Sequence, residues 1–180
     1  MRIFLAGVSC VGKTTVGTHL AALRGVPFFD LDREVERFFQ RPIGRLQAEC
    51  LTMHSYRQKA AKVLKSLLTQ EQSRDAVIAL PPSGLMGSYW KTVEPARGVV
   101  VVLTDTPENI VQRLAFYDED SRPVERILSG SEKRLYAREV RKDMAYFGRS
   151  YKKADLTVDI SRLGPREAAA KVNEVLMHRS

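Results

Sequence analysis

Gly7-Val8-Ser9-Cys10-Val11-Gly12-Lys13-Thr14 lies between an apolar stretch, Arg2 to Ala6, and a helical pattern that begins at Lys13. The spacing fits G-x-x-x-x-G-K-[ST], and the context of strand, glycine turn and helix is the one its chemistry needs. Glycines let the main chain curl around a phosphate so that amide hydrogens point inward, and the helix start adds partial positive charge. Lys13 is placed to reach the β and γ phosphates, and the Thr14 hydroxyl to ligate magnesium. Ser9, Cys10, Val11, Gly12, Lys13, Thr14 and Thr15 are therefore the residues expected around the triphosphate of ATP.

Outward from that loop, strands and helices alternate. Val26 to Asp30, Ala76 to Leu80, Gly98 to Thr104 and Leu156 to Ile160 join Arg2 to Ala6 as short runs rich in β-branched and aromatic residues, which read as buried strands. Thr106 and Pro107 signal one helix start and Pro165 another, where Ala168, Val172, Val175 and Leu176 form a stripe. Tyr136, Val140, Met144, Phe147 and Tyr151 recur at helical spacing. The expected fold is α/β, a three-layer arrangement with a parallel sheet whose carboxyl edge carries the ligand site. The polar segment 118–131, with Pro123 and Gly130, separates two helices and reads as a mobile lid.

The 180 residues suit one domain, 1–180, able to bury its own core. No apolar run approaches the roughly 20 residues of a membrane-spanning helix, and no secretion signal is visible, so a cytoplasmic address and no membrane partner are expected. Two cysteines and three histidines are too few and too scattered for a disulfide framework or a zinc site. A net charge of +8 favours anionic partners. Nucleic acid is disfavoured, because Lys133, Arg134, Arg138, Arg141 and Lys142 lie at helical spacing beside an apolar stripe and read as a solvated face. Cys10 reads as a small filler of a tight loop, Tyr89 and Trp90 as packing residues, and His54 has no assigned role.

Phe28-Phe29-Asp30-Leu31-Asp32 ends the second strand on the side of the sheet where the phosphate loop lies. One carboxylate suits a magnesium ion and the other the proton of an attacking hydroxyl, the division that phosphoryl transfer requires; an Asp at such a junction also caps helices.

With Tyr56-Arg57, Arg122-Pro123 in the lid and Tyr151 to Asp159 before the last helix, the order of motifs over nearly the whole chain resembles the shikimate kinase family of P-loop proteins. The resemblance implies five parallel strands in the order 2-3-1-4-5, a mobile lid, and transfer of the ATP γ-phosphate to a ring hydroxyl of a small anionic metabolite; Mg2+ is the expected cofactor and a monomer the expected assembly. It further implies Lys13 and Thr14 for ATP and metal, Asp30 for the metal shell, and Asp32 for the substrate hydroxyls. Arg57 would take the substrate carboxylate, Arg122 would close over the phosphates, and Arg113 and Pro165 would flank adenine.

Three positions depart from the family pattern. Its glycine-rich turn is here Leu80-Pro81-Pro82-Ser83-Gly84, in which the prolines have no amide hydrogen, leaving Ser83 and Gly84 as donors. Ala60 stands where a glutamate would anchor Arg57. The second carboxylate-binding arginine is expected four residues before Tyr151, whereas the candidate, Arg149, precedes it by two. The ATP side is thus intact and the acceptor side altered, which keeps open a kinase for another sugar acid, polyol or nucleoside, or an ATP-binding switch without turnover.

Overall fold

The computed structural model describes residues 1–178. Five strands, β1 (Arg2–Ala6), β2 (Phe28–Asp30), β3 (Val77–Ala79), β4 (Gly98–Thr104) and β7 (Leu156–Asp159), form one parallel sheet in the order β2-β3-β1-β4-β7. Counting sheet strands alone, this is the expected 2-3-1-4-5. Helices cover both faces: α1 (Lys13–Arg24), α2 (Leu31–Phe39), α3 (Ile43–Ala48), α4 (Met53–Thr69), α5 (Gly87–Val93), α6 (Pro107–Gln112), α7 (Gly130–Tyr151) and α8 (Pro165–Met177).

The strands lack a polar face because both sides are covered. Ile3, Leu5, Val101 and Leu103 pack under α1, α7 and α8, while Phe4, Ala6, Ile78, Val100 and Val102 pack under α2, α4 and α5. The α8 stripe holds, with Ala168, Val172 and Leu176 buried, and Thr106 caps α6 by accepting from the Asn109 amide at 3.2 Å. Parallel pairing sends the carboxyl ends of β1, β2, β3 and β4 to one edge, so the loops that follow them converge there.

The lid differs in detail from the expected segment 118–131. Ser129 caps α7 through a reciprocal pair with Glu132, so residues 130 and 131 are helical rather than lid. Ahead of it, β5 (Phe116–Tyr117) and β6 (Pro123–Val124) pair as a small antiparallel hairpin. The hairpin tip rests on the α2–α3 region: Ser121 Oγ donates to Glu36 Oε1 at 2.5 Å, and Arg45 pairs with Asp120 at 2.6 Å.

Candidate active site

Gly7 has φ 142° and Gly12 φ 112°, values that side-chain-bearing residues avoid. A Cβ on Gly7 would lie 2.7 Å from the Leu103 carbonyl oxygen and 2.9 Å from Val11 Cγ1, so the loop also needs its small size. Gly12 is the N-cap of α1 and brings no capping side chain, which leaves the first-turn amides for an external anion. Within the loop, Cys10 takes φ 57° and Ser9 and Thr15 are exposed. Val11 differs from the others: its side chain is fully buried in the core and its amide bonds to the Val8 carbonyl at 3.4 Å, so it braces the loop.

Lys13 Nζ folds back onto the loop and donates to the Gly7 and Val8 carbonyls, each at 2.8 Å. Burial pulls its pKa down to about 8, against the opposing pull of Asp32 and Asp30. Thr14 Oγ1 donates to Asp30 Oδ2 at 2.6 Å, while Asp30 Oδ1 accepts the Asp32 amide at 3.1 Å. One Asp30 oxygen thus caps α2 and the other holds the Thr14 hydroxyl of the phosphate loop. Asp32 is pushed up to about 6, first by burial and next by the charge on Asp30, with Lys13 opposing and Glu36 adding to the rise. Glu36, four residues on and on the same face of α2, went unassigned in the sequence; the i, i+4 spacing from Asp32 was the signal that marks it.

On the opposite wall, Tyr56 and Arg57 begin the inward face of α4. The hydroxyl of Tyr56 and Nε of Arg57 are buried without a hydrogen-bond partner. Burial raises the pKa of the nearby Tyr89 hydroxyl, and the charges of Asp32 and Arg57 act on it in opposite directions, the first raising and the second lowering it. With Ala60 in place of a carboxylate, Arg57 makes no ion pair among the described residues.

The β3–α5 turn carries the expected donors Ser83 and Gly84. The Gly84 amide donates to the Pro81 carbonyl at 2.8 Å, and the Pro82 carbonyl accepts the Tyr151 hydroxyl at 3.0 Å. Ser83 is buried, 8% exposed, with its carbonyl bound to the Met86 amide at 2.9 Å. A Cβ on Gly84 would meet Leu80 Cβ at 2.5 Å and the Pro81 oxygen at 2.9 Å. Gly84→Ala is thus expected to lower the melting temperature by several degrees, since overpacking costs about 1–3 kcal/mol; an unchanged thermal melt would show that the turn shifts freely.

Arg149 is exposed on α7; at 100° per residue its side chain leaves the helix away from Met144, Gly148 and Tyr151, which line a cleft of about 260 Å³ at the carboxyl end of β4. The cation that approaches the turn is Lys153, whose Nζ donates to the Leu85 carbonyl at 2.9 Å and lies 5.0 Å from the Trp90 ring centroid. Arg122 sits in the hairpin turn, its amide bound to Asp118 Oδ1 at 2.9 Å and its side chain exposed. Arg113 pairs with Asp105, a carboxylate 1% exposed that also accepts from the Thr106 amide at 2.6 Å and from Asn109 Nδ2 at 2.8 Å. Asn109 in turn donates to the Ser161 carbonyl at 2.7 Å, tying the end of β4 to the loop that leads to the exposed Pro165. Asp105 was not singled out from the sequence; its place at the carboxyl end of a core strand was the available clue.

A phosphate-gripping loop, a hydroxyl-carboxylate pair beside it and a second, proton-hungry carboxylate, all on the carboxyl edge of a parallel sheet, define a P-loop phosphotransferase that uses ATP and an alcohol-type acceptor. Within that class the shikimate kinase family model matches residues 9–177, and the chain belongs to the shikimate kinase family. Among its relatives, the shikimate kinase of Parabacteroides distasonis is 27% identical over 98% of this chain and 97% of its own length. That of Chlorobium phaeobacteroides is 30% identical over 90% of this chain and 80% of its own. Among solved structures, shikimate kinase from Acinetobacter baumannii in complex with shikimate has a TM-score of 0.77 at 25% identity, covering 99% of this chain and 94% of that one. Among the described residues no helix is long and apolar enough to cross a membrane.

Proposed function

We propose that this protein, acting as one kinase unit over residues 1–180 in the cytoplasm, transfers the γ-phosphate of ATP to a ring hydroxyl of shikimate. The observation that carries the reading is the convergence of Lys13, Thr14, Asp30 and Asp32 at one edge of the sheet, with Arg57 on α4, the helix that packs against α2. In this reading the loop amides and Lys13 Nζ bind the β and γ phosphates, Lys13 giving up its carbonyl partners to do so. The acceptor hydroxyl oxygen forms the new bond to the γ phosphorus, the bond to the β-bridging oxygen breaks, and the proton passes to Asp32. ADP leaves with the electron pair. Catalysis is positioning and charge neutralisation, with no covalent enzyme intermediate.

Thr14 Oγ1 and Asp30 Oδ2 are hard oxygen donors 2.6 Å apart, the chemistry that suits Mg2+ held by one or two protein groups, water and phosphate oxygens. Mg2+ would neutralise charge on the transferring phosphate. Arg122 is proposed to turn inward over the phosphates once they are present, and Arg113 and Pro165 to flank adenine.

The test is ADP release on adding shikimate, with the phosphorylated product identified by mass. Expected is magnesium-dependent, stoichiometric formation of a shikimate monophosphate. ATP binding without consumption would overturn the acceptor and favour a switch. Turnover only with another sugar acid or polyol would favour the second reading, which the committed Gly84 amide and the outward Arg149 support.

A further inference from the structure

Folded proteins seldom leave a buried donor unpaired, because the group has lost its water and gained nothing. On α4 two such groups are adjacent: the hydroxyl of Tyr56, a residue 5% exposed, and Nε of Arg57. The Gln47 amide is close enough to act on the Tyr56 hydroxyl, but the two do not reach normal hydrogen-bond geometry. The Tyr56 main chain is ordinary helix, its amide bonded to the Thr52 carbonyl at 3.2 Å, so the orphaned hydroxyl is not a by-product of a distorted backbone.

What surrounds the hydroxyl says what it lacks. Helices α4 and α2 pack against each other, and the charges of Asp32 and Glu36 both reach Tyr56. Burial together with those charges raises its titration far above neutrality, so the group is a fixed O–H donor. Tyr56 and Arg57 are adjacent on the inward side of α4, the helix that packs against α2 and so against the element that carries Asp32 and Glu36. An oxygen offered there meets a donor. A second carboxylate offered there meets Asp32 and Glu36 and is repelled.

We propose that Tyr56 is a specificity-determining residue whose hydroxyl donates a hydrogen bond to an uncharged oxygen of the acceptor while Arg57 holds the acceptor's single carboxylate. The cleft thereby selects hydroxylated monocarboxylic acids over dicarboxylic acids and over acids with an apolar edge toward α4. This rests on the proposed transfer to an anionic hydroxyl compound.

Tyr56→Phe, probed with shikimate, tests it. Expected is a KM for shikimate raised about tenfold, the effect of one lost hydrogen bond, with KM for ATP within about twofold of the unsubstituted protein. The unliganded variant is expected to melt at the same temperature or up to a few degrees higher, because an unpaired buried hydroxyl has been removed. An unchanged shikimate KM in an active Tyr56→Phe protein overturns the proposal and leaves the kinase reading standing. Should the unsubstituted protein fail to phosphorylate shikimate, that reading falls, and the melt still decides the point: a lower melting temperature for Tyr56→Phe shows that the protein itself satisfies the hydroxyl and overturns the proposal, whereas an equal or higher one supports it.

Discussion

Asp32→Asn is expected to reduce turnover with shikimate by about 10²- to 10⁴-fold while raising the melting temperature at neutral pH, two effects of opposite sign from one substitution. The loss follows if Asp32 takes the acceptor's proton, since an amide has no comparable basicity. The gain follows from linkage. Burial and the Asp30 charge lift the carboxyl from 3.8 to about 6 in the folded protein, so the folded state holds that proton more tightly than the unfolded chain does. Its contribution to stability is therefore present in full below pH 4, declines as pH rises toward 6, and above 6 has become a net cost relative to a neutral group. A tenfold difference in proton affinity is worth about 1.4 kcal/mol, and Asp32 is partly open to solvent, so removing the charge is expected to restore about 1–3 kcal/mol, or several degrees. Differential scanning calorimetry at pH 5 and pH 7.5 checks it: the stabilisation should be larger at the higher pH. A variant that loses both activity and stability would reassign Asp32 to a structural role. In the unsubstituted protein kcat/KM for shikimate should climb as pH rises through about 6, because the ionised form is the one that accepts a proton.

Lys13→Ala is expected to lower kcat/KM for ATP by at least about 10²- to 10³-fold, the range seen when one preorganised cation or donor is withdrawn from a transition state that develops charge. Its Nζ now bonds the Gly7 and Val8 carbonyls at 2.8 Å, so ATP must exchange those contacts for phosphate oxygens. Because burial holds Lys13 down at about 8, the ammonium that the phosphates require is lost as pH rises through that value, and kcat/KM for ATP should fall on the alkaline side. Calorimetric titration with a nonhydrolysable ATP analogue separates binding from chemistry. If Lys13→Ala binds the analogue as tightly as the unsubstituted protein and still turns over, the lysine is only bracing the loop.

The glycines, the lysine and the threonine of the phosphate loop were readable because each obeys a local demand: a positive φ at Gly7 and Gly12, an uncapped helix start, a side chain one turn from the phosphates. The strand limits were readable for a similar reason, and the limits observed for β1 and β4 coincide with those expected, since an apolar run covered on both faces has no other place to lie. Asp30 was legible as either cap or metal-side carboxylate; one of its oxygens does cap α2, and the other bonds the Thr14 hydroxyl.

The acceptor side was less legible. Gly84 looked like a free donor until the turn was seen to close on the Pro81 carbonyl, and Arg149 looked like a displaced substrate cation until the phase of α7 turned it to solvent. Arg113 could be placed on its helix, but its pairing with Asp105, and the link from Asp105 through Asn109 to the loop before Pro165, join residues that no local pattern relates.

The chain alone thus determined the layered α/β plan, the strand order implied by its motifs, and the phosphate grip, because these follow from backbone hydrogen bonding, burial periodicity and glycine geometry acting over a few residues at a time. Tertiary structure decided which polar groups meet and which are left over: Asp32 with its pKa raised by burial, the paired Arg113, and the unpaired Tyr56 and Arg57 on the helix packed against α2. Hydration, charge and hydrogen-bond satisfaction depend on everything that packs around a group, and those neighbours come from distant parts of the chain only after it has folded.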